Sequence, residues 1–372
     1  MAAKTAARYF MLIAMMLGMV VIVGCGGGGS DTVEALGISQ GRWGHSATLL
    51  EDGRVLVVGG QKSPSGKLDT AEIYNPVTET WVSAGSMTEK RGAGHRSTLL
   101  ADGRVLVTGD NDEALAEVYD ASTGEWSVAG VMVEARKWAT ATLLEDDRVL
   151  VAGGLDATKA GVEELETAEI YDPSTGEWSP TGSMENVNSS HSAALMGDGR
   201  VLVVGQLLTE IFDPSTGTWS SGGAPDRERS AGTTATALRG GNILVTGGEF
   251  QRGGWTGVTT APLRSVELYD VTTGAWTAAS PMNEPRLHHS AVQLQDGKVL
   301  VVASRELEMY NPATNTWSPA GKMIQERDVM HTATLLADGR VLVIGGREDT
   351  GDGNRGISVV EIYDPATFEE AD

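Results

Sequence analysis

One cysteine, Cys25, is all that the 372 residues contain. A lone thiol excludes an intrachain disulfide, a Cys-x-x-Cys zinc site and an iron–sulfur cluster. Basic side chains are scarce too: 28 lysines and arginines against 50 aspartates and glutamates leave a formal charge of −22. Gripping a phosphate backbone takes clustered Lys and Arg, so no nucleic-acid partner is expected. Aromatics make up only 5% of the chain, yet the apolar share is 41%, too high for a disordered polymer and enough for a full core. There is no His-Glu-x-x-His helix or Walker loop, and no cofactor is expected.

Long apolar runs are limited to the first 25 residues. Lys4 and Arg8 precede a stretch from Tyr9 to Val23 that is almost wholly apolar. As a helix it would reach roughly 22 Å, short of a bilayer core of about 30 Å, so it reads as a secretory signal over residues 1–24. Its end, Val21-Ile22-Val23-Gly24-Cys25, resembles the lipobox of bacterial lipoproteins. That resemblance implies cleavage before Cys25, acylation of its thiol, and a flexible tether over residues 25–31. The body, 32–372, would then hang outside the cytoplasm at the bacterial cell envelope, touching the membrane only through its lipid.

Repetition is what the sequence has in abundance. A tyrosine closing an apolar run recurs at Tyr74, Tyr119, Tyr171, Tyr269, Tyr310 and Tyr363, with Phe212 in one slot. Seven residues after each of the first six aromatics, in chain order, stands a tryptophan: Trp81, Trp126, Trp178, Trp219, Trp276 and Trp317. Ten further on come Arg91, Arg136, Asn188, Arg229, Arg286 and Arg327. The steps between units vary from 41 to 57 residues while these inner spacings do not, as for fixed hairpins joined by elastic loops. Each unit reads as four strands, illustrated by His45–Leu50, Val55–Val58, Ala71–Tyr74 and the segment opened by Trp81. The last turn needs a left-handed residue, and Gly124, Gly176, Gly217, Gly274 and Asn315 supply it. Glu79 and Phe368 break that rule.

The Arg-x-x-His, Gly-Gly, Tyr-Asp-Pro and Trp pattern resembles the kelch repeat. The resemblance implies an all-β, seven-bladed β-propeller of four-stranded antiparallel blades as one domain over 32–372. The seventh unit ends after three strands, and counting ten back from Arg42 reaches Thr32. Thr32–Ile38 is therefore expected to close the last blade, joining the two termini of the propeller and removing an open edge.

In such a meander the first–second and third–fourth turns share one end of the ring, and both are tight here. The second–third loops, of 10, 5, 13, 2, 17, 2 and 13 residues, share the other end with the links between blades. Recognition is expected there. Trp43, Trp138 and Trp255 lie outside the repeating tryptophan slot and fall on that rim, Trp255 beside Arg252, as flat apolar contacts for a sugar or protein. The arginines Arg42, Arg91, Arg136, Arg229, Arg286 and Arg327 line the same rim and are candidate anion contacts, although they are partly framework. His45, His95, His191, His289 and His331 recur in one slot, as scaffold hydrogen-bonding residues do.

Arg286-Leu287-His288-His289-Ser290 is similar to the Tyr-His-Ser stretch of galactose oxidases, which carry copper on a kelch propeller. Here His288 replaces the axial tyrosine, and the cysteine of that family's crosslinked cofactor has no counterpart, Cys25 being in the lipobox. Asp349–Asn354 resembles a calcium loop but has Val359 where the liganding glutamate belongs, so a solvated Gly-rich loop is expected. Glu163-Glu164-Leu165-Glu166 reads as an acidic surface patch. The chain is thus expected to act as a protein- or glycan-binding module rather than an enzyme. The competing expectation is a sugar epimerase or mutarotase, because periplasmic sialic-acid epimerases are also kelch propellers; Glu249 and Glu306 would be its nearest carboxylates.

Overall fold

Alternating and continuous apolar runs fold into the expected hairpins. In the first blade Ser46–Leu49, Val55–Val58, Leu68–Asn75 and Thr80–Arg91 form an antiparallel sheet in that order. Val55–Val58 is buried at every residue because it has a strand on each edge and a neighbouring blade on each face. The structure, a computed structural model, describes residues 35–158, 163–186, 189–205, 208–229, 231–254, 257–327, 329–349 and 354–367, with the backbone alone at 35–36, 251–254 and 257–260.

Six sheets repeat this consecutive order. The seventh combines Thr332–Leu335, Val341–Ile344 and Asn354–Tyr363 with Ala35–Arg42, whose Ala35 lies opposite Glu361. The closing strand therefore comes from the N-terminal side, as the spacing predicts; it runs on to Arg42, and residues 32–34 lie outside the described residues. The first strand of every blade touches those of its two neighbours, and Thr332–Leu335 returns to Ser46–Leu49. The ring is closed, with seven blades. No helix among the described residues is long and apolar enough to cross a membrane.

The invariant Tyr-to-Trp spacing is a register device. Tyr74 pairs with Trp81 and Phe212 with Trp219, as do the four other pairs, with ring centroids 5.0–5.2 Å apart. From Trp126 onward each indole Nε1 donates to a carbonyl of the preceding blade, to Ala84, Ala129, Gly182, Gly222 and Ser280, at 2.7–3.0 Å. Seven apolar clusters fill the junctions between blades.

The two ends of the ring differ as the alternation requires. At one end Arg54, Arg104 and Arg148 each pair with the aspartate two residues earlier and reach a carbonyl in the third–fourth turn of the next blade, at Ala121, Pro173 and Pro214. Arg340 of the seventh blade does the same to Pro76 of the first. At the other end, links between blades bond to second–third loops: Trp43 bridges Gln61, Arg136-Lys137 pairs with Leu155-Asp156, and Leu263 bridges Arg286. Glu79 takes the left-handed conformation (φ 56°) that the sequence rule reserves for glycine, so the first blade has the same turn as the rest. Phe368 lies outside the described residues.

Candidate functional site

The arginine column corrects an expectation. Arg42, Arg91, Arg136, Arg229, Arg286 and Arg327 are all buried, at 4% exposure or less, and do not converge on the mouth of the ring. Each leaves the end of one blade and inserts its guanidinium into the next, against Glu72, Glu117, Glu169, Glu267, Glu308 and Glu361 at 2.6–2.9 Å. Carbonyls take further donors: Arg42 also bonds Gly59 O and Thr70 O. Burial lowers the pKa of Arg42, Arg91, Arg229 and Arg327, and the glutamates oppose that shift. Arg42 sits on the N-terminal strand, so its pair with Glu72 ties the seventh blade to the first. Asn188, the exception in the column, lies outside the described residues; in that blade Glu210 accepts the backbone N–H groups of Glu185 and Asn186.

The recurring histidines are scaffold, as expected. His45 Nε2 meets Thr332 Oγ1 at 2.9 Å, His191 Nε2 meets Thr140 Oγ1 at 3.0 Å, and His331 Nε2 donates to Val302 O at 2.9 Å. His95 lies 3.0 Å from Ser46 Oγ and 2.6 Å from Gly92 O. Every one of these contacts except that to Gly92 crosses a blade junction. Burial pushes His95 and His331 down to about 4 and His289 to about 3, so these rings are neutral at pH 7.

The three extra tryptophans part company. Trp43 is 9% exposed, a packed residue rather than a surface contact, held by backbone bonds to Gln61 on either side. Trp255 lies outside the described residues, as does the side chain of Arg252, whose backbone belongs to the hairpin of Glu249–Gly254 and Gly257–Pro262. Trp138 is half-buried and borders a cavity at the mouth of the axial channel.

That cavity, about 190 Å³, is walled by the residues that open the first strands: Gly44-His45, Ala93, Arg96, Trp138, Ser190-His191, Gly232-Thr233, His288-His289 and Met330-His331. Around its lip Gly44, Trp138, Ser190, Gly232, His288 and Met330 share a left-handed backbone, with φ between 50° and 65°. Their amides reach across blades. Gly44 N–H donates to Met330 O at 2.9 Å, Trp138 to Gly94 at 2.9 Å, Ser190 to Trp138 at 3.2 Å and His288 to Gly232 at 3.0 Å. For the four residues with a Cβ this conformation costs about 1–2 kcal/mol each, which the interblade bonds help offset. The effect is to hold Trp138, Ser190, His288 and Met330 around the axis, while Gly44, Gly94 and Gly232 leave the other places open. His288 titrates below its usual value through burial, opposed by the charge of Glu249.

Arg96 escaped the sequence reading. One residue beyond the histidine slot the blades carry Ser46, Arg96, Thr140, Ser192, Thr234, Ser290 and Thr332: six hydroxyls and one guanidinium. That contrast was available in the repeat alignment. Among the described residues Arg96 belongs to no ion pair, and its one hydrogen bond runs from Nη1 to His95 O at 2.9 Å. Burial lowers its pKa, with no carboxylate acting in the other direction, yet an arginine stays charged at neutral pH.

Other candidates have ordinary partners. Glu306 pairs with Lys322 at 2.8 Å on the surface, and Glu164 accepts from Ser189 Oγ at 2.5 Å. Residues 350–353 of the Gly-rich loop and Cys25 lie outside the described residues. Among the described residues no three His, Cys, Asp or Glu side chains are grouped to hold a metal, and His289 is turned into the blade with Nε2 on Thr246 Oγ1 at 2.6 Å. This donor set does not fit the copper centre of galactose oxidases.

Comparison with known proteins agrees with the architecture. Residues 52–88, 146–185 and 253–283 match the Kelch motif. Kelch-like protein terF of Aspergillus terreus is 31% identical over 107 residues, which is 26% of this chain and 22% of that protein. The chain thus matches little more than a fifth of that relative's length. A fungal alcohol oxidase of the AA5 family, solved in complex with copper, superposes with a TM-score of 0.75 at 19% identity, over 89% of this chain and 75% of the oxidase. At that identity the likeness is one of fold. The protein is a seven-bladed β-propeller in which three stretches match the Kelch motif.

Proposed function

We propose that this propeller is a binding module that receives a protein or glycan ligand at its loop end, and that it is tethered to a bacterial envelope by lipid on Cys25. One observation carries the reading: the axial mouth at that end is a lined cavity in which left-handed backbone presents Trp138, Ser190, His288 and Met330. Strained backbone persists only where its surroundings over-determine it, and such sites concentrate at ligand clamps. An indole at a cavity edge offers flat apolar area suited to a sugar ring or a protein side chain. The charge of −22 repels anionic headgroups, consistent with a body held off the membrane by its lipid.

A glycan array and an affinity pull-down with the full chain, repeated with Trp138→Ala, test the binding role. Trp138→Ala is expected to weaken retained ligands at least tenfold while Trp255→Ala reports the separate contribution of the long hairpin. Ligands indifferent to both changes would remove the loop end as the site. Mass spectrometry of the mature N-terminus tests the anchor: a diacylglycerol adduct on Cys25 is expected, and an uncleaved or unmodified Cys25 refutes it.

A further inference from the structure

Six of the seven innermost strands place a serine or threonine where Ser46 stands, and these hydroxyls work locally. Ser46 meets His95 of the next blade, Thr140 meets His191, and Thr332 meets His45. Thr234 and Ser290 donate to the backbone carbonyls of His289 and His331. The second blade departs from the pattern on both sides of its junction. It carries Arg96, and the facing histidine slot of the third blade is Ala139, buried at 4% exposure. Removing a ring and adding a long cation in one junction leaves the guanidinium bordering the axial cavity with a single carbonyl partner.

The contrast with the buried column arginines is chemical. All six column arginines are matched by a glutamate within 2.9 Å, in a chain with 50 acidic residues to draw on. Arg96 has none. A guanidinium partly removed from water with no counter-ion beside it attracts negative charge from a ligand. The guanidinium can donate to an acceptor in the cavity. A planar carboxylate suits the guanidinium fork, which engages two oxygens at once. About 190 Å³ is room for roughly six water molecules, and so for a small organic acid or the acidic end of a sugar.

We propose that the axial cavity is a carboxylate site with Arg96 as its anchoring cation and Trp138 as the wall for the rest of the ligand. This deepens the loop-end reading and rests on it, because the mouth of the cavity is the centre of that end. The occupant is a small acid no larger than a hexuronic acid. Neutral sugars of the same shape should bind weakly, since a site built around a charge penalises a ligand that leaves it unpaired.

Calorimetric titration of the full chain with D-glucuronate, acetate and D-glucose separates the terms. Saturable binding of glucuronate is expected, at least tenfold tighter than glucose, with acetate competing. Arg96→Ser installs the residue type of the other blades; it is expected to fold, with an unchanged circular dichroism spectrum, and to lose glucuronate at least tenfold. Should that variant unfold, the NMR shift of the Arg96 Nε–H in the wild-type chain, moving with carboxylate and not with glucose, supplies an independent readout. Equal affinity for glucuronate and glucose, no saturable binding of any carboxylate, or glucuronate binding that survives Arg96→Ser each overturns the proposal. Glycan or protein ligands retained by the wild-type chain but lost with Trp138→Ala would, in those cases, leave the loop-end reading standing.

Discussion

The ring has two ends made from the same repeats, and they are stabilised by opposite means. At the tight-turn end, arginines bond aspartates two residues away and a carbonyl one blade on, in water: Arg104 and Asp102 are 33% and 47% exposed. At the loop end the pairs are sealed, as in Arg91–Glu117 at 0% and 1%. The first arrangement recurs at Arg54, Arg104, Arg148, Arg200 and Arg340, with Lys298 in the sixth blade, because a short turn leaves few geometries. The second pins six of the seven links between blades at one buried point, Arg to Glu, and leaves the chain on either side of that point free to differ. Loops of 2 to 17 residues can therefore be grafted onto one scaffold without disturbing the core.

Acid should separate the two ends most strongly. His95 and His331 fall from 6.5 to about 4 in the folded chain and His289 to about 3. Between those values and 6.5 the unfolded chain binds the protons that the folded chain refuses, so stability is fully present above pH 6.5 and declines as pH falls. A depression of that size is worth on the order of 3 kcal/mol for each ring, making this the largest effect anticipated. At the tight-turn end the Arg148 guanidinium holds Asp146 below its usual 3.8, so its contribution is lost only at still lower pH. Thermal melts from pH 7 to pH 3 should show Tm dropping first between pH 6 and pH 4. Amide exchange should show the first-strand amides near the histidines opening before those of the tight turns. A flat Tm down to pH 4 would contradict the buried neutral rings.

Next in size is the contrast between sealed and exposed ion pairs. Glu117→Gln leaves Arg91 charged and buried, with Gly109 O and Leu115 O as its remaining partners, and is expected to cost about 3–5 kcal/mol. Asp102→Asn at the other end breaks an arginine–carboxylate pair in water and should cost under about 1 kcal/mol. Urea unfolding of the two variants measures both. Equal losses would mean that the loop-end pairs are not the pins that hold the links.

A backbone counterpart is smaller but still clear. Gly345 has φ 59°, and a Cβ there would lie 2.4 Å from Arg42 O and 2.6 Å from His45 Cε1. Gly247 stands in the same relation to Arg286 O and His289. The Gly-Gly signature thus makes space for the next blade's histidine, and Gly345→Ala should destabilise by about 2–3 kcal/mol through strain and crowding. Gly53, with φ 84° but nothing within 4 Å, is the tight-turn control; its alanine variant should lose about 1 kcal/mol.

These contrasts also explain what could be read from the sequence. Strand register was legible because Tyr74 and Trp81 must face one another across a turn of fixed length, so their spacing cannot drift. Ring closure was legible because an unpaired fourth-strand slot and an orphan N-terminal segment answer each other. Side-chain direction was not. Arg42 and Trp43 are adjacent on a link that does lie at the loop end, yet both are buried, Arg42 drawn into the next blade by Glu72 and Trp43 on backbone bonded to Gln61. A repeating arginine looked like a surface column because its partner glutamates sit one blade away, at a separation that loop length blurs. Arg96 was overlooked for the converse reason: its meaning lies in differing from six equivalents, and attention to what repeats passes over what does not.

The smallest effect tests how far the tight-turn end obeys one rule. Glu79 occupies a left-handed slot filled elsewhere by Gly124, Gly176, Gly217, Gly274 and Asn315, and its φ of 56° matches theirs. An L-residue with a long side chain pays about 1–2 kcal/mol there, and asparagine less, because its short amide tolerates the conformation. Against that stands the contact of Glu79 with Arg340 at 3.4 Å, between side chains 40% and 25% exposed. Arg340 keeps Asp338 at 2.8 Å and Pro76 O at 3.1 Å without it, so the pair is worth only a few tenths of a kcal/mol. Glu79→Asn is therefore expected to stabilise the chain by about 0.5–1 kcal/mol, whereas Glu79→Gly gains less because glycine also frees the unfolded chain. A loss of 1 kcal/mol or more on Glu79→Asn would show that the first and seventh blades are locked by this ion pair as well as by the backbone. The tight-turn end would then carry part of the ring closure that is otherwise assigned to Arg42 and the N-terminal strand.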